Sequence, residues 1–386
     1  MNASAAVTSE LVEQAITWRH HLHGIPEIAY QEHETSRFVA ERLGDMGLSV
    51  TTGLAGTGLV ATLRKGSSRR VIGLRADMDA LPMNETGELP YRSRNPGRMH
   101  ACGHDGHMSM LLGAAQAAAG VDFDGTVHFI FQPAEENEAG AKAMMNDGLF
   151  KSFPVDAVFG IHNWPGLKPG TFSAAPGPVM AAFSTFDITV NGTAAHGAMP
   201  HQGADPVLAA SQIVAALQTI VSRNVAPTDT AVLSVTQIHG GNAYNIIPAS
   251  VVLRGTGRWF SDKAGDLLQN RLTDIARAVA AAYGCTAEID YQRRYPATVN
   301  AAAQAVAAQD AGTTIGLVHA AQPPSMASED FAFMLQEIPG CYAWLGAGRE
   351  GHNPGLHASD FNFNDAVMAD GIKLWLSVLQ TQLPQG

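Results

Sequence analysis

Cysteine is scarce: three occur among 386 residues, Cys102, Cys285 and Cys341, widely separated, odd in number and never in a Cys-x-x-Cys pair. A disulfide framework is thereby excluded and a reducing compartment implied, with Cys285 and Cys341 read as plain core thiols. Charge is sparse too, at 15% of residues, and 24 basic against 35 acidic residues give a formal net charge of -11. Apart from "RKGSSRR" no basic run stands out, so neither nucleic acid nor anionic membrane is an expected partner. Uninterrupted apolar runs fall short of the roughly 18 residues that a membrane-spanning helix needs. The opening "MNASAAVTSELVEQAI" has neither the basic start nor the apolar stretch of a secretory signal, and the chain reads as soluble and cytoplasmic. Internal repeats and low-complexity segments are lacking as well. What is present is 46% hydrophobic content, ample for one large domain with a smaller one attached or inserted.

Two early segments, "SELVEQAITWRHHLHGIPE" and "HETSRFVAERLGDMG", carry apolar residues at helical spacing; the first opens on a Ser cap and both end at Gly. Short β-branched runs follow, "GLVATL", "RVIGLRAD", "TVHFIFQPAEE" and "DAVFGIHN", with helical stretches "MSMLLGAAQAAAG" and "AGAKAMMNDG" between them. Alternation of this kind indicates an α/β layer on a mixed, largely parallel sheet. From Phe183 to Tyr295 the order becomes strand, helix, strand, strand, helix, strand, the ferredoxin-like α+β unit. Flanked by Pro- and Gly-bearing joints, it reads as an inserted domain, giving a division into 1–182, 183–295 and 296–386. After "RRYPATVN" the α/β character resumes with "SEDFAFMLQEIP", "CYAWLGAG" and a closing helix "DAVMADGIKLWLSVLQTQL", and the Ala-rich "AAAQAVAAQDAG" is one more helix.

Candidate chemistry gathers where this scaffold would put it, at the carboxyl ends of strands. "MHACGHDGH" follows "RVIGLRAD" and lies in a loop just before a helix beginning near "DGHMSML". "FIFQPAEE" finishes on Glu135 and Glu136, "AVFGIHN" delivers His162, and "NPGLHASDF" brings His357 after a late strand. Cys102, His104, Glu136, His162 and His357 form a mixed thiolate, imidazole and carboxylate set that suits Zn, Mn, Co or Ni better than Ca or Mg. Five ligands exceed one tetrahedral site, so either two metals share a bridging ligand or one metal has a spare carboxylate. A bound metal brings the pKa of water toward neutrality, and an adjacent carboxylate can take its proton as it attacks a carbonyl. Glu136 as ligand and Glu135 as base divide those tasks.

The stretches "LHGIPEIAYQEHETS", "LRADMDALPMNE", "MHACGHDGHMSMLLGAA", "FIFQPAEEN", "HGAMPHQGADPVLAA", "NIIPASVVLRGTGR", "SEDFAFML" and "LHASDF" together resemble the amidohydrolase branch of the M20 metallopeptidase family, which includes hippurate hydrolase, N-acyl amino acid amidohydrolases and auxin-conjugate hydrolases. The resemblance runs from about Trp18 to the closing helix. It implies a two-metal catalytic domain, an inserted lid that also forms a homodimer, and hydrolysis of the amide of a small N-acyl-L-amino acid. It assigns the five ligands and the base as above. The wider family's His-x-Asp motif is here Asp77-x-Asp79, so the first position supplies no imidazole and His104 takes that part. Asp79 then either orients a ligand or serves the "DMDALP" turn. The stretch "NEAGAK" replaces a Gly-rich run and alters the pocket wall. In the lid, His196 resembles the histidine that reaches the scissile carbonyl from the partner subunit, where a donor can stabilise the oxyanion. Asn245 and Arg258 could grip the substrate's α-carboxylate, Arg by a bidentate pair. His201, His239, His319 and His352 are read as surface or structural. Rival readings are a dipeptidase or carbamoylase of the same superfamily, a non-catalytic metal-bearing binding protein, and a thiol redox enzyme, the last disfavoured because Cys102 has no resolving partner.

Overall fold

A computed structural model describes every residue except Asn137 and Gly386. Asn137 opens the "NEAGAK" stretch, so the expectation of an altered wall there falls partly outside the described residues. The chain forms two compact units: Met1–Val179 with Thr298–Pro323 and Asp330–Gly386, and Met180–Ala297 with Pro324–Glu329.

The first unit is built on an eight-stranded sheet. Val71–Asp77 pairs in parallel with Gly125–Gln132 on one side and Ala157–Trp164 on the other, and Gly340–Gly346 continues parallel to Ala157–Trp164. Antiparallel pairings flank this centre, through Gly58–Lys65 and Ser49–Leu54 at one edge and Thr171–Ser173 toward the other. The central strands are buried almost from end to end and, apart from Arg75, Asp77, His162 and Asn163 toward their carboxyl ends, apolar without alternation, the signature of a sheet covered on both faces. The outermost Ser49–Leu54 is largely exposed. Helices Ser9–His23, His104–Ala118 and Met368–Gln382 pack together, and Ala302–Thr314 joins them against Met368–Gln382. Because the central strands run the same way, the segments after Asp77, Gln132 and Trp164 all emerge at one edge of the sheet.

Two local expectations change. The first long helix is capped by Thr8, whose hydroxyl accepts from the Leu11 amide at 3.3 Å, and Ser9 is already inside it. The helix after "MHACG" begins at His104, with Gly103 at φ 102° before it, so His104 and His107 stand in its first turns and only Cys102 is in the loop. That φ favours glycine, and a Cβ at Gly103 would also run into the Asn163 side chain.

The second unit has four antiparallel strands. In space the order is Ala231–His239, Ser250–Trp259, Ala182–Asn191, Thr286–Tyr295, the ferredoxin-like arrangement. Ala182–Asn191 and Ser250–Trp259 alternate buried and exposed positions, so one face packs. Helices Pro206–Thr219 and Asp262–Ala282 supply the other side of that core through Ile213, Leu217, Leu268 and Leu272. Asp205 caps the former with its carboxylate on the Val207 and Leu208 amides, and Pro206 fits the first helical position. Relative to the expected division, this unit also takes in Pro324–Glu329. The Ala181 amide donates to the carbonyls of Ser325 and Ala327, and Arg258 donates to Ser328 Oγ at 2.6 Å.

Candidate metal centre

The strand-end edge of the first unit brings the expected ligands together: Cys102, Glu136 and His357 from loops, His104 from the start of a helix and His162 from strand Ala157–Trp164. The ligand atoms of Cys102, His104 and His162 lie within 4.8 Å of one another, as do those of Cys102, Glu136 and His357, and those of His104, Glu135 and Glu136. Cys102 is common to the first two sets. Its Sγ is 3.4 Å from His162 Nε2, and His357 Nε2 is 3.2 Å from Glu136 Oε1. Glu135, beside His104, also accepts from the Asp330 amide at 3.4 Å.

The imidazoles are oriented from behind. His104 Nδ1 donates to the Asp79 carbonyl at 2.8 Å, and His162 Nδ1 donates to the Asn163 carbonyl at 2.7 Å, which leaves Nε2 of each ring facing the cluster. His104 Nε2 and Glu136 Oε1 are buried without a hydrogen-bond partner. Buried ligand atoms without a hydrogen-bond partner, beside a thiol and two further imidazoles, form a mixed donor set that fits a borderline-soft divalent ion. Electrostatics agree. Burial pushes His162 well below its ordinary pKa, with His107 adding to the effect, so its ring is neutral. Burial works against charge on His104, yet the Asp77 carboxylate and the bond to Asp79 outweigh it and push that ring up to about 10. Positive charge is therefore favoured on the His104 ring, which faces buried carboxylates.

The acid-bearing loop is held by buried carboxylates acting on its backbone. Asp79 Oδ1 accepts from the Glu135 amide and Oδ2 from the Glu136 amide, each at 2.9 Å. Glu32 accepts from the Ala134 amide at 2.9 Å and from Thr57 Oγ1 at 2.7 Å. Asp330 accepts from the Ala141 amide at 2.8 Å and from Gln132 Nε2, and Arg75 Nη2 donates to it at 3.0 Å. Ala134 has φ 57° and His357 φ 65°, conformations that alanine and histidine adopt only when surroundings impose them. Backbone strain thus sits in two of the loops that carry the cluster. The Asp79 carbonyl orients His104, and its carboxylate, instead of serving its own "DMDALP" turn alone, holds the loop that displays both acids.

The remaining expected residues lie in the second unit. His196 and Asn245 are exposed and neighbours, because Ala195–His196 pairs with Ile246–Ile247 and the Gly197 amide donates to the Asn245 carbonyl at 2.7 Å. Arg258 sits near the far end of strand Ser250–Trp259, with its guanidinium 4.6 Å from the Phe183 ring. At ~3.4 Å per residue the Ser250 to Arg258 span is on the order of 25 Å. One chain therefore does not bring Asn245 and Arg258 to a single carboxylate. His201, His239 and His352 are exposed, and His319 accepts from the Ala174 amide at 3.2 Å. Cys285 and Cys341 are buried free thiols, as expected.

Several members of the site were not anticipated: His107, Asn163, Glu32, Asp330 and Arg75. Spacing could have found His107, which follows His104 by three residues and so shares its helix face. Nothing in the local sequence marks Glu32 or Asp330, whose partners are remote in the chain.

A family model described as peptidase family M20/M25/M40 matches residues 73–381. The chain is 39% identical over 350 residues to N-acetyl-L-cysteine deacetylase of Bacillus subtilis, covering 90% of this chain and 84% of that protein. It is 39% identical over 354 residues to hippurate hydrolase of Campylobacter jejuni, covering 91% and 92%. Among solved structures, a dinuclear metal-binding peptidase from Bacillus subtilis superposes with a TM-score of 0.84 at 31% identity, over 97% of this chain and 100% of that one.

Proposed function

The chain belongs to peptidase family M20/M25/M40, on its amidohydrolase branch, and from that premise we propose that it hydrolyses the amide bond of small N-acyl-L-amino acids, releasing a carboxylic acid and a free amino acid. It is a metal-dependent amidohydrolase. The observation that carries the finer reading is the division of labour between adjacent acids: Glu136 faces Cys102 and His357, while Glu135 stands beside His104 and takes its own hydrogen bond from the Asp330 amide. We assign two divalent ions, Mn, Zn, Co or Ni, to this centre, where Cys102, His104, Glu136, His162 and His357 would hold them. When bound, such ions polarise a carbonyl and make a water acidic near neutral pH.

Glu135 then removes the proton from the attacking water, keeps it on its carboxyl, and passes it to the amide nitrogen as the C–N bond breaks. Asp79 keeps both acids in place by holding their amides. His196 offers a donor to the developing oxyanion, and Asn245 and Arg258 supply polar contacts to the substrate's α-carboxylate. The distance between those last two within one chain favours a homodimer in which His196 and Asn245 serve the neighbouring subunit. Exposed Ile238 on the edge strand Ala231–His239, with exposed Tyr244 and Ile246 at the ribbon that carries His196, supply apolar surface for it. Three buried free cysteines fit a reducing, cytoplasmic setting, and no helix among the described residues is long and apolar enough to cross a membrane.

The test is hydrolysis of a panel of acetyl, benzoyl, indoleacetyl and long-chain acyl amino acids, with dipeptides and N-carbamoyl amino acids alongside, by enzyme of known metal content. Turnover confined to dipeptides or carbamoyl compounds would replace the acyl-amino acid reading.

A further inference from the structure

His107 is buried, adjoins the candidate ligands and has no part in the chemistry above. Its ring centroid is 4.5 Å from that of His162 and 5.4 Å from that of His104. With Asp77 and His104 it even forms a set whose donor atoms could surround an ion. That set is already closed by hydrogen bonds. His107 Nδ1 donates to Asp77 Oδ1 at 2.6 Å, and Arg75 Nη1 donates to Asp77 Oδ2 at 2.8 Å. On the other side of the ring the Asn163 backbone amide donates to Nε2 at 3.0 Å, and the Asn163 side-chain oxygen Oδ1 lies 2.5 Å from the same nitrogen. A guanidinium against the carboxylate and both ring nitrogens engaged leave no place for a third cation.

Asn163 is the consequential partner. Its carbonyl fixes His162 in the form that presents Nε2, and its side chain covers Gly103, the left-handed corner between Cys102 and His104. One residue therefore touches the supports of three ligands, and His107 holds that residue against the end of the Val71–Asp77 strand. We propose that His107 is a positioning residue of the metal centre, which through Asn163 presets the geometry of Cys102, His104 and His162. The inference rests on the reading of those three side chains as ligands.

Cobalt(II) alone is the probe. Metal-free protein is titrated against a competing chelator while the thiolate-to-cobalt absorption is recorded, with circular dichroism to confirm folding. His107→Leu removes both hydrogen bonds and is expected to weaken cobalt binding about 10- to 100-fold, as loss of outer partners does, with an altered thiolate band. His107→Gln can place an amide oxygen where Nε2 sits and accept the Asn163 amide, so it should recover most of the affinity and the band. Should His107→Leu fail to fold, Asn163→Ala, which keeps the backbone carbonyl, is read in its place and should move both readouts the same way. Folded His107→Leu or Asn163→Ala protein that binds cobalt as the unaltered chain does, with the same band, would overturn the proposal. If the unaltered chain itself shows no thiolate band, the ligand reading fails first and takes this inference with it.

Discussion

The two units treat polar residues in opposite ways. In the first, Asp77, Asp79, His104, His107, His162 and Glu135 are all under a tenth exposed, and each is bonded to another buried group or to backbone. In the second, His196 and Asn245 stand in solvent on a short two-stranded ribbon, with only local backbone contacts around them. Burying charge without partners is costly, so the first arrangement persists only as a network in which every carboxylate has an amide, an imidazole or a guanidinium to face. Such a network fixes positions to fractions of an ångström, which metal ligation demands. Exposed donors on a ribbon are free to meet a substrate or a second subunit, and they contribute little to the fold that carries them.

The comparison is broken most sharply at the acids. Chelation should abolish turnover, and Mn, Co, Ni or Zn should restore it. Glu135→Gln protein should keep its metal by elemental analysis while kcat falls by about 10² to 10⁴, the usual cost of losing a general base. Glu136→Gln should lose metal instead. The reverse pattern of retention would show the two roles exchanged.

A smaller but more discriminating effect concerns the exposed ribbon. Glu135→Gln and His196→Ala subunits, each nearly inactive alone, are mixed and allowed to exchange. If His196 serves the neighbouring subunit, a mixed dimer has one doubly damaged site and one intact site. Random reassortment makes about half the dimers mixed, so about a quarter of all sites should work, given closed two-fold assembly. Background activity after verified exchange would confine His196 to its own chain or remove it from catalysis.

How much of this could be read from the sequence follows the same divide. Strands and helices were legible because their periodicity is local, and the gathering of Cys102, His104, Glu136, His162 and His357 was legible because strand ends gather chemistry in α/β sheets. The helix expected to start near Asp105 begins one residue earlier, at His104, a position that depends on the left-handed Gly103 packed under Asn163. Glu32, Arg75 and Asp330 escaped notice for a different reason. Their meaning lies in partners such as Ala134, Asp77 and Gln132, most of them far away along the chain, and no spacing rule reports a contact between position 75 and position 330. Pro324–Glu329 joined the second unit through backbone carbonyls, which leave no mark on residue type.

The finest test compares one residue from each region by stability as well as by turnover. Asp79→Asn preserves shape, but it replaces one carboxylate oxygen with an NH2 group that faces a backbone N–H, leaving either the Glu135 or the Glu136 amide buried without an acceptor. A lost buried partner costs roughly 1–3 kcal/mol, and displacement of Glu136 should weaken metal binding about 10- to 100-fold. Asn245→Ala removes only an exposed side chain, since the contact that shapes the ribbon is made by the Asn245 carbonyl to the Gly197 amide, which survives the change. Its unfolding free energy should stay within about 0.5 kcal/mol of the unaltered chain, as for other surface positions, while KM for an acyl amino acid rises and metal content is unaffected. Thermal melts with and without metal, beside steady-state kinetics, separate these outcomes. Equal destabilisation by the two substitutions would mean that the ribbon is braced as firmly as the metal floor, and the contrast between the units would then lie in exposure alone.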